Sequence, residues 1–472
     1  MKKIIIGSLG LMLQMAGFGQ SKQWTLQQCI ETAWQNNQQV QQSELQMERD
    51  EVNLKQSKAN MLPVVNGSID YGANQGRSIN PYTNTYVNQQ LNFSNLGVNG
   101  NLPLFGGFQV QNFIKQNNLA YKASKMEWQQ AKDLLTLNVI VAYLQELNNE
   151  DLVTQSQDQL DVTKKQVDRL ETLNNEGAIA PYTLSDLKGQ LASDEVSLVN
   201  AKNNVQAAKL SLAQFMNQPY DESMQLERTS VTEALSLYDG NVESIYEEAL
   251  KKLGMVQAAD LRKESAEKAI KVAKGNFYPT LSLFGGLGTS YSSAAQLSSL
   301  VSETYGPSDS YVTVNGTDYP LNVKQQNFKS EPFGFGKQYN NNLYTNFGLS
   351  LQVPLSNNMR AHNQLKLAKI AFKNSQLLAD NMRIQLRQNV EQAYFNMTAA
   401  YNRYQSYQQQ VAALKESYNA AQVRFETGVI TSVEYLQVKN TLDRANINLT
   451  QSKYEYVLRT KVLDYYQGKL NW

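Results

Sequence analysis

An apolar residue recurs at every seventh position in two separate segments of this chain, and this repeat limits the fold more than any other feature. The two segments lie 251 residues apart, position for position, which indicates an internal duplication. A strict seven-residue repeat keeps one side of a helix apolar only if the helices supercoil left-handedly, so we expect two coiled-coil arms. The repeated positions are Leu184, Leu191, Leu198, Val205 and Leu212 in one arm, and Tyr435, Leu442, Leu449, Tyr456 and Leu463 in the other.

Each arm begins at a glycine, Gly177 or Gly428, and a long run without glycine or proline precedes that glycine. The runs extend from Phe108 to Glu176 and from Leu355 to Thr427. Glycine suits the left-handed position at which many helices end. The pattern therefore predicts, twice, a long helix, a tight turn and a shorter helix that returns antiparallel. At about 1.5 Å per residue, the first run would be about 100 Å long, which is more than a compact domain needs.

Four segments alternate apolar and polar side chains, as β-strands with one apolar and one polar face do. They lie at 64–74, 95–104, 281–291 and 343–353. Each is close to the roughly 9 to 11 residues that cross a bilayer as a tilted strand. A sheet in lipid has to close on itself, and known barrels of this kind have at least about eight strands. Because one chain supplies four, a membrane barrel would need several copies of the chain.

The duplication extends to the segments around these strands. Lys58–Pro63 is similar to Lys274–Pro279 at an offset of 216 residues, whereas Leu102–Leu104 matches Val353–Leu355 at an offset of 251. The difference between 251 and 216 means that the second half carries 35 extra residues between its two strands. We expect an extended, exposed extracellular loop at 292–341.

The amino terminus and the repeats together define the expected domains. Lys2 and Lys3 precede a short apolar stretch, and Gly17 and Gly19 supply the small residues that a signal peptidase needs, so we expect a cleaved secretory signal. Each repeat is expected to contain a helix, two strands, a long helix and a returning helix. The predicted boundaries are a signal peptide at 1–19, a first repeat at 20–216, a linker at 217–242 and a second repeat at 243–472.

Charge and composition disfavour a nucleic-acid-binding protein and an enzyme. The formal net charge is +1 and only 18% of residues are charged, so the sequence carries no basic footprint for a phosphate backbone. The only histidine, His362, begins a long polar helix, and a catalytic triad or a multi-histidine metal site has no other histidine to use. The only cysteine, Cys29, cannot form an intramolecular disulfide, and we expect a packed thiol. We predict no enzymatic activity, no cofactor and no metal.

Taken together, these features resemble the TolC family of outer-membrane efflux and secretion channels. The most specific segments are Arg424–Ile430 and Glu176–Ile179, each followed by its regularly spaced arm, and the duplicated order of helix, strands and helices is also that of the family. The resemblance implies a mixed, predominantly α-helical fold and a homotrimer. Three chains, with four strands each, would form a transmembrane antiparallel β-barrel in the lipid of the outer membrane, continuous with a coiled-coil α-helical barrel that projects into the periplasm.

The same resemblance implies a function, namely the passive duct of a tripartite efflux or type I secretion system. Its partners would be a periplasmic adaptor (membrane fusion) protein and an inner-membrane pump of the RND or ABC type, which supplies the energy. The adaptor would dock at the tip turns, Gly177 and Gly428. Two alternatives fit part of the pattern: a structural or adhesive coiled-coil surface protein with soluble strands, and a passive porin, which would have no need of the arms.

Members of the family narrow the tip of the tunnel with carboxylates six and nine residues after the second glycine. The corresponding residues in this chain are Glu434 and Gln437, and the residue six after the first glycine is Thr183. Because only Glu434 carries a charge, it is the main candidate for a pore constriction, with Gln437 and Thr183 as neutral members. The alternative is that Glu434 is an ordinary anion in the first turn of a helix, where the helix dipole favours negative charge.

Overall fold

The computed structural model describes residues 23–79, 84–228 and 235–469, so the predicted signal peptide at 1–19 lies outside the described residues. The chain separates into two compact units. The first unit contains the described residues up to Val52, Asn118–Ser265 and the described residues from Lys373 onward. The second unit contains Asn53–Asn117 and Ala266–Phe372.

Helices make up most of the structure, and the four predicted long and returning helices are confirmed. The two long helices, α3 and α8, have 67 residues each. Helix α8 begins a few residues later than the sequence suggested, because Asn358 and Met359 adopt positive φ angles of 53° and 62°, which a right-handed helix does not accommodate. The helices are α1 Leu26–Asn36, α2 Gln38–Ala59, α3 Gln109–Asn175, α4 Pro181–Met216, α5 Val242–Lys252, α6 Gly254–Gly275, α7 Phe335–Asn341, α8 Arg360–Glu426 and α9 Ser432–Tyr466.

In each half, the structure has two helices where the sequence predicted one helix before the first strand. At the break between α1 and α2, Asn37 is extended, and its side-chain oxygen accepts the backbone N–H groups of Gln39 (2.9 Å) and Val40 (3.3 Å). Asparagine competes with a continuing helix in this way and caps the next one. Between α5 and α6 the extended residue is Leu253.

The first unit is built around buried apolar residues of its helices. Cys29 has no exposed surface and belongs to one core cluster together with Ile140, Tyr143 and Leu212. Burial raises the pKa of the Cys29 thiol to about 12, so the thiol is unreactive at physiological pH. The predicted packed cysteine is confirmed. Within the described residues, no helix combines the length and the apolar character that crossing a bilayer requires.

The second unit contains a four-stranded antiparallel sheet, which confirms the four predicted strands. Its order is β1-β4-β5-β8, so β1 and β8 are its edges. The pairing of β4 with β5 shifts register between Pro103 and Phe105, as expected where proline interrupts a ladder. The strands of this sheet are β1 Val64–Asn74, β4 Leu91–Gly106, β5 Thr280–Ser292 and β8 Tyr344–Gln352.

Two further hairpins lie in the connections between these strands. A short one pairs β2 (Arg77–Ile79) with β3 (Tyr86–Asn88), and a long one pairs β6 (Gln296–Val314) with β7 (Thr317–Pro332). The segment 292–341, predicted as an extended loop, is therefore mostly β-hairpin and ends with α7. The sequence interpretation missed the Asn315-Gly316 pair, which is a strong signal for a tight hairpin turn.

Candidate functional site

The two predicted turns have the same backbone geometry. At the end of α3, the N–H of Gly177 donates to the carbonyl of Asn174 (3.0 Å) and the N–H of Ala178 donates to that of Leu173 (2.8 Å). At the end of α8, Gly428 donates to Phe425 (3.1 Å) and Val429 donates to Arg424 (2.8 Å). Both patterns are Schellman motifs, which satisfy carbonyls that a helix end would otherwise leave unpaired.

The φ angles explain why glycine stands at both turns. Gly177 has a φ of 72° and Gly428 a φ of 74°, which lie in the left-handed region. A side chain with a Cβ atom is disfavoured there by about 1 to 2 kcal/mol. A Cβ atom added at either position would meet no atom within 4 Å. The requirement for glycine therefore comes from the backbone and not from crowding.

The returning helices begin differently. Thr431 caps α9: its hydroxyl accepts the N–H of Glu434 (3.3 Å), and Oε2 of Glu434 accepts the N–H of Thr431 (3.0 Å). This reciprocal pair is a capping box. Helix α4 begins after Ala180, which supplies no side-chain cap, and has Pro181 in its first turn. Proline is compatible with that position because the N–H it lacks would have no helical partner.

Below the turns, the first hairpin (α3 and α4) and the second hairpin (α8 and α9) pack on each other through apolar side chains. Phe425 of α8 lies flat against Tyr435 of α9, with ring centroids 4.6 Å apart and an angle of 9° between the rings. Burial raises the pKa of Tyr435 above its usual range. The tip cluster consists of buried Val167, Leu170 and Leu187 together with the partly buried Leu173, Ile179, Leu184, Leu191, Phe425 and Leu436.

Polar contacts also join the two hairpins near the turns. Arg169 of α3 donates to the carbonyl of Glu426 (3.2 Å), and the guanidinium lies 3.6 Å from the Glu426 carboxylate. The hydroxyl of Ser432 donates to the carboxylate of Asp186 on α4 (2.8 Å). Arg169 and Glu426 are solvent-exposed, and ion pairs of this kind contribute about 1 kcal/mol or less.

A buried ion pair lies further along the same interface. The ammonium of Lys439 on α9 lies 3.2 Å from Asp194 of α4 and 2.7 Å from Asp443. Only 3% of the Lys439 side chain and 9% of the Asp194 side chain are exposed. The Thr163 hydroxyl (2.5 Å) and the Gln190 amide (2.7 Å) also donate to Asp194. Burial raises the pKa of Asp443, and the neighbouring Lys439 partly opposes that shift.

The residues predicted from the sequence fall in two places. Thr183 is half-buried and lines a cavity of about 480 Å³ between the turns, together with Gly428 and Thr431. Glu434 and Gln437 are exposed and do not line this cavity. Within one chain, the structure therefore does not bring Glu434 and Thr183 into one site, and the Glu434 carboxylate is engaged in the capping box.

The buried Lys439–Asp194 pair was missed by the sequence interpretation. Its signal was available, because Asp194 follows Leu191 of the apolar repeat by three residues and so occupies the second core position of a heptad. A charged residue at a core position indicates a buried polar contact that specifies how helices pair.

The described residues contain no group of three or more His, Cys, Asp and Glu side chains that could hold a metal ion. His362 is exposed and meets the Phe277 ring edge-on, with centroids 4.9 Å apart. That contact is an aromatic packing contact, and it provides no proton-transfer partner for the imidazole.

Comparison with known proteins agrees with this architecture. The sequence profile of the outer membrane efflux protein family matches residues 29–218 and 245–466. The chain is 23% identical to the outer membrane protein TolC of Escherichia coli, over 100% of this chain and 87% of that protein. Its fold is similar to the outer membrane protein VceC of Vibrio cholerae, with a TM-score of 0.74 at 16% identity, covering 94% of this chain and 96% of VceC. It is also similar to the open state of the MtrE outer membrane channel of Neisseria gonorrhoeae, with a TM-score of 0.70 at 16% identity, covering 94% and 88%.

Proposed function

This chain belongs to the outer membrane efflux protein family, and on that premise we propose that three copies of it assemble into one efflux duct. The protein is an outer-membrane efflux channel with a periplasmic tunnel. Its assembly into a homotrimer, with a transmembrane β-barrel continuous with a coiled-coil tunnel, is the part that we propose. The duct itself performs no chemistry.

The observation that carries this proposal is the open four-stranded sheet. Its edge strands bear exposed apolar side chains, such as Ile69 on β1 and Phe347 on β8, which is 87% exposed. All three strand pairings are antiparallel, so β1 and β8 run in opposite directions. Placing β8 of one copy beside β1 of the next therefore continues the antiparallel order. Three copies give a closed barrel within the range of known membrane barrels, and closure pairs every edge.

The repeat boundaries predicted from the sequence form part of the same proposal. The described elements follow the order helix, helix, strands, long helix, returning helix from α1 to α4, and follow it again from α5 to α9, where the short α7 is inserted before the last strand. This order supports repeats at 20–216 and 243–472 joined by a linker at 217–242. In the trimer, two similar repeats per chain would produce a barrel with approximate sixfold symmetry.

A direct test of the trimer is the mass of the detergent-solubilised protein. We expect light scattering to give three times the mass of the chain after subtraction of detergent, and we expect the trimer band on gels to convert to monomer on heating. A stable monomer in mild detergent would contradict the closed barrel.

The turns are the proposed docking site for a periplasmic adaptor, and an inner-membrane pump would supply the energy for export. Exposed apolar side chains surround them: Tyr182 beside the first turn, and Val429 and Val433 beside the second. Apolar side chains of this kind provide anchors for a protein partner. We expect Val429→Asp to reduce co-purification of the adaptor, whereas Val196→Asp, a similarly exposed valine further along α4, leaves it unchanged.

Glu434, with the neutral Gln437 and Thr183, remains the candidate for a constriction. In a trimer, three exposed Glu434 carboxylates would surround one axis and attract cations. Glu434→Gln is a clean test, because glutamine also completes a capping box, so only the charge is lost. We expect a lower cation preference in planar bilayers, most evident in dilute salt, where screening is weak. An unchanged reversal potential under a salt gradient would leave Glu434 with its capping role alone.

A further inference from the structure

The insertion in the second half forms a long two-stranded ribbon, defined here as β6 and β7. Its turn consists of Asn315 and Gly316, with φ angles of 54° and 82°, as a two-residue hairpin loop requires. Pairing extends from Val314 opposite Thr317 at the turn to Gln296 opposite Pro332 at the base. The ribbon is therefore an ordered element with a defined register.

The base of the ribbon is fixed to the end of β5. The side chain of Gln338 in α7, 1% exposed, accepts the N–H of Ser292 (2.9 Å) and donates to the carbonyls of Ser292 (3.0 Å) and Phe333 (2.6 Å). The N–H of Phe333 in turn donates to the carbonyl of Ala295 (3.0 Å). These contacts hold both strands at the point where they leave the sheet.

One face of the ribbon carries a group of large apolar side chains. Leu300 lies opposite Phe328, and Tyr305 lies opposite Lys324. Phe328 and Lys324 are four residues apart on one strand, so they point to the same face. Leu300, Tyr305 and Phe328 therefore share a face, and all three are exposed.

The other face is also apolar. Tyr319, Leu321 and Val323 alternate along β7, each an odd number of residues from Phe328, so they point away from it. These side chains are exposed too. Among the described strands, β6 and β7 pair only with each other. An isolated two-stranded hairpin is marginally stable in water, and apolar patches on both faces add to the cost of exposure.

The ribbon carries few charges, four acidic residues and two lysines. Both lysines are paired within the ribbon, Lys324 with Glu303 (2.5 Å) and Lys329 with Glu331 (2.8 Å). Two ribbons can therefore approach each other without leaving a lysine unpaired.

We propose that each ribbon docks on the ribbon of a neighbouring copy of this chain, so that three ribbons form a cap at the end of the sheet from which they extend. This inference rests on the proposed trimer. The base of the ribbon is held at the end of β5, and β5 pairs directly with β8. The ribbon therefore begins one strand away from the edge at which the proposed trimer meets the next copy. A threefold ring joins two different surfaces of each copy, and the ribbon offers two apolar faces.

Cysteine cross-linking tests this contact. In the double variant Phe328→Cys with Val323→Cys, the two thiols lie on opposite faces of one strand, so a bond between neighbouring copies joins one face to the other. The solubilised protein is treated with a bismaleimide of about 10 Å span, and the products are separated on denaturing gels. The native Cys29 does not interfere, because it is fully buried. We expect loss of the monomer band and the appearance of covalent dimers and trimers, with much less product from either single variant.

The outcomes separate this inference from the proposed function. A trimeric mass with only monomer bands after cross-linking would overturn the ribbon contact and leave the trimer intact. A monomeric mass would overturn both. Replacing Leu300, Tyr305 and Phe328 together with serine provides a second measurement: we expect a trimer with raised single-channel conductance in planar bilayers, and unchanged conductance would count against a cap.

Discussion

Lys188 and Lys439 occupy equivalent positions in the two helical hairpins, 251 residues apart, yet their environments are opposite. Lys188 of α4 is 53% exposed, and its ammonium pairs with Glu171 at 2.7 Å. Lys439 of α9 is 3% exposed and is held by Asp194 and Asp443. Within one chain, the same residue in the same repeat is thus a surface charge in one hairpin and a buried charge in the other. The difference arises because the second position faces Asp194 of the other hairpin.

A second pair shows the same contrast in the long helices. Glu146 of α3 and Met397 of α8 also lie 251 residues apart, and both are fully buried. Met397 packs in an apolar core cluster with Leu386 and Val390. The Glu146 carboxyl lies near Glu150, and burial, reinforced by that second acid, raises the pKa of Glu146 to about 8. Equivalent positions in the two halves can therefore both be buried although one holds an acidic side chain and the other an apolar one.

The largest effect should come from the two lysines. Lys439→Met leaves the buried Asp194 and the partly buried Asp443 without their cation, and breaking a buried pair in this way costs about 3 to 5 kcal/mol of unfolding free energy. Lys188→Met removes an exposed pair and should cost less than about 1 kcal/mol. Denaturant unfolding in detergent, followed by circular dichroism, measures both. Equal losses would mean that the environments of the two lysines do not differ.

Glu146→Gln should make the first long helix more stable at neutral and basic pH. Because the folded-state pKa of Glu146 is raised from 4.5 to about 8, the native chain holds a proton that the unfolded chain releases. The stability associated with this proton is fully present below pH 4.5 and is lost as pH rises toward 8. The groups around the carboxyl include Glu150, Lys209 and Arg228.

The variant should therefore gain about 4 kcal/mol over the native chain at pH 8, with almost no difference near pH 4. Met397→Gln is the comparison in the second helix, and its effect should not vary over this pH range. A pH-independent gain for Glu146→Gln would show that the carboxyl is not protonated in the folded state.

The two turn glycines should respond alike, because their φ angles differ by only a few degrees. We expect Gly177→Ala and Gly428→Ala to cost about 1 kcal/mol each, and the β-branched Gly428→Val to cost somewhat more. These losses come from the backbone conformation alone, because neither site is crowded. Asparagine, which tolerates the left-handed region, should cost less. Gly428→Val should also lower export while trimers remain in the membrane. Clearly unequal losses for the two alanine variants would contradict a shared backbone requirement.

The smallest effect should appear at the first residues of the returning helices, where the hairpins differ. Thr431→Ala removes the capping box of α9 and should cost about 1 kcal/mol. Ala180 has nearly the same extended conformation as Thr431, so Ala180→Thr should add a cap to α4 and gain up to about 1 kcal/mol. Thermal unfolding of both variants checks this. No gain for Ala180→Thr would mean that Pro181 prevents the cap from forming.

The sequence by itself determined the features that depend on local chemistry. Seven-residue periodicity fixed the helical arms, and alternation located the four strands of the sheet. The need for positive φ identified Gly177 and Gly428 before any contact was known. Periodicity did not predict the break between α1 and α2, although its cause is local: the Asn37 side chain caps the helix that follows it.

Only the tertiary structure decided which equivalent residues are buried. Asp443, four residues after Lys439, is a local partner that Lys188 lacks, because Ala192 stands at the equivalent position. Burial of Lys439, however, depends on Asp194, which lies 245 residues away in the chain. Glu434 became a capping residue because the backbone of Thr431 points an N–H at its carboxylate. The apolar periodicity and the turn residues determine local structure within a few residues of themselves. Burial, and the pKa shifts that follow from it, are set by helices that fold onto a position from distant parts of the chain.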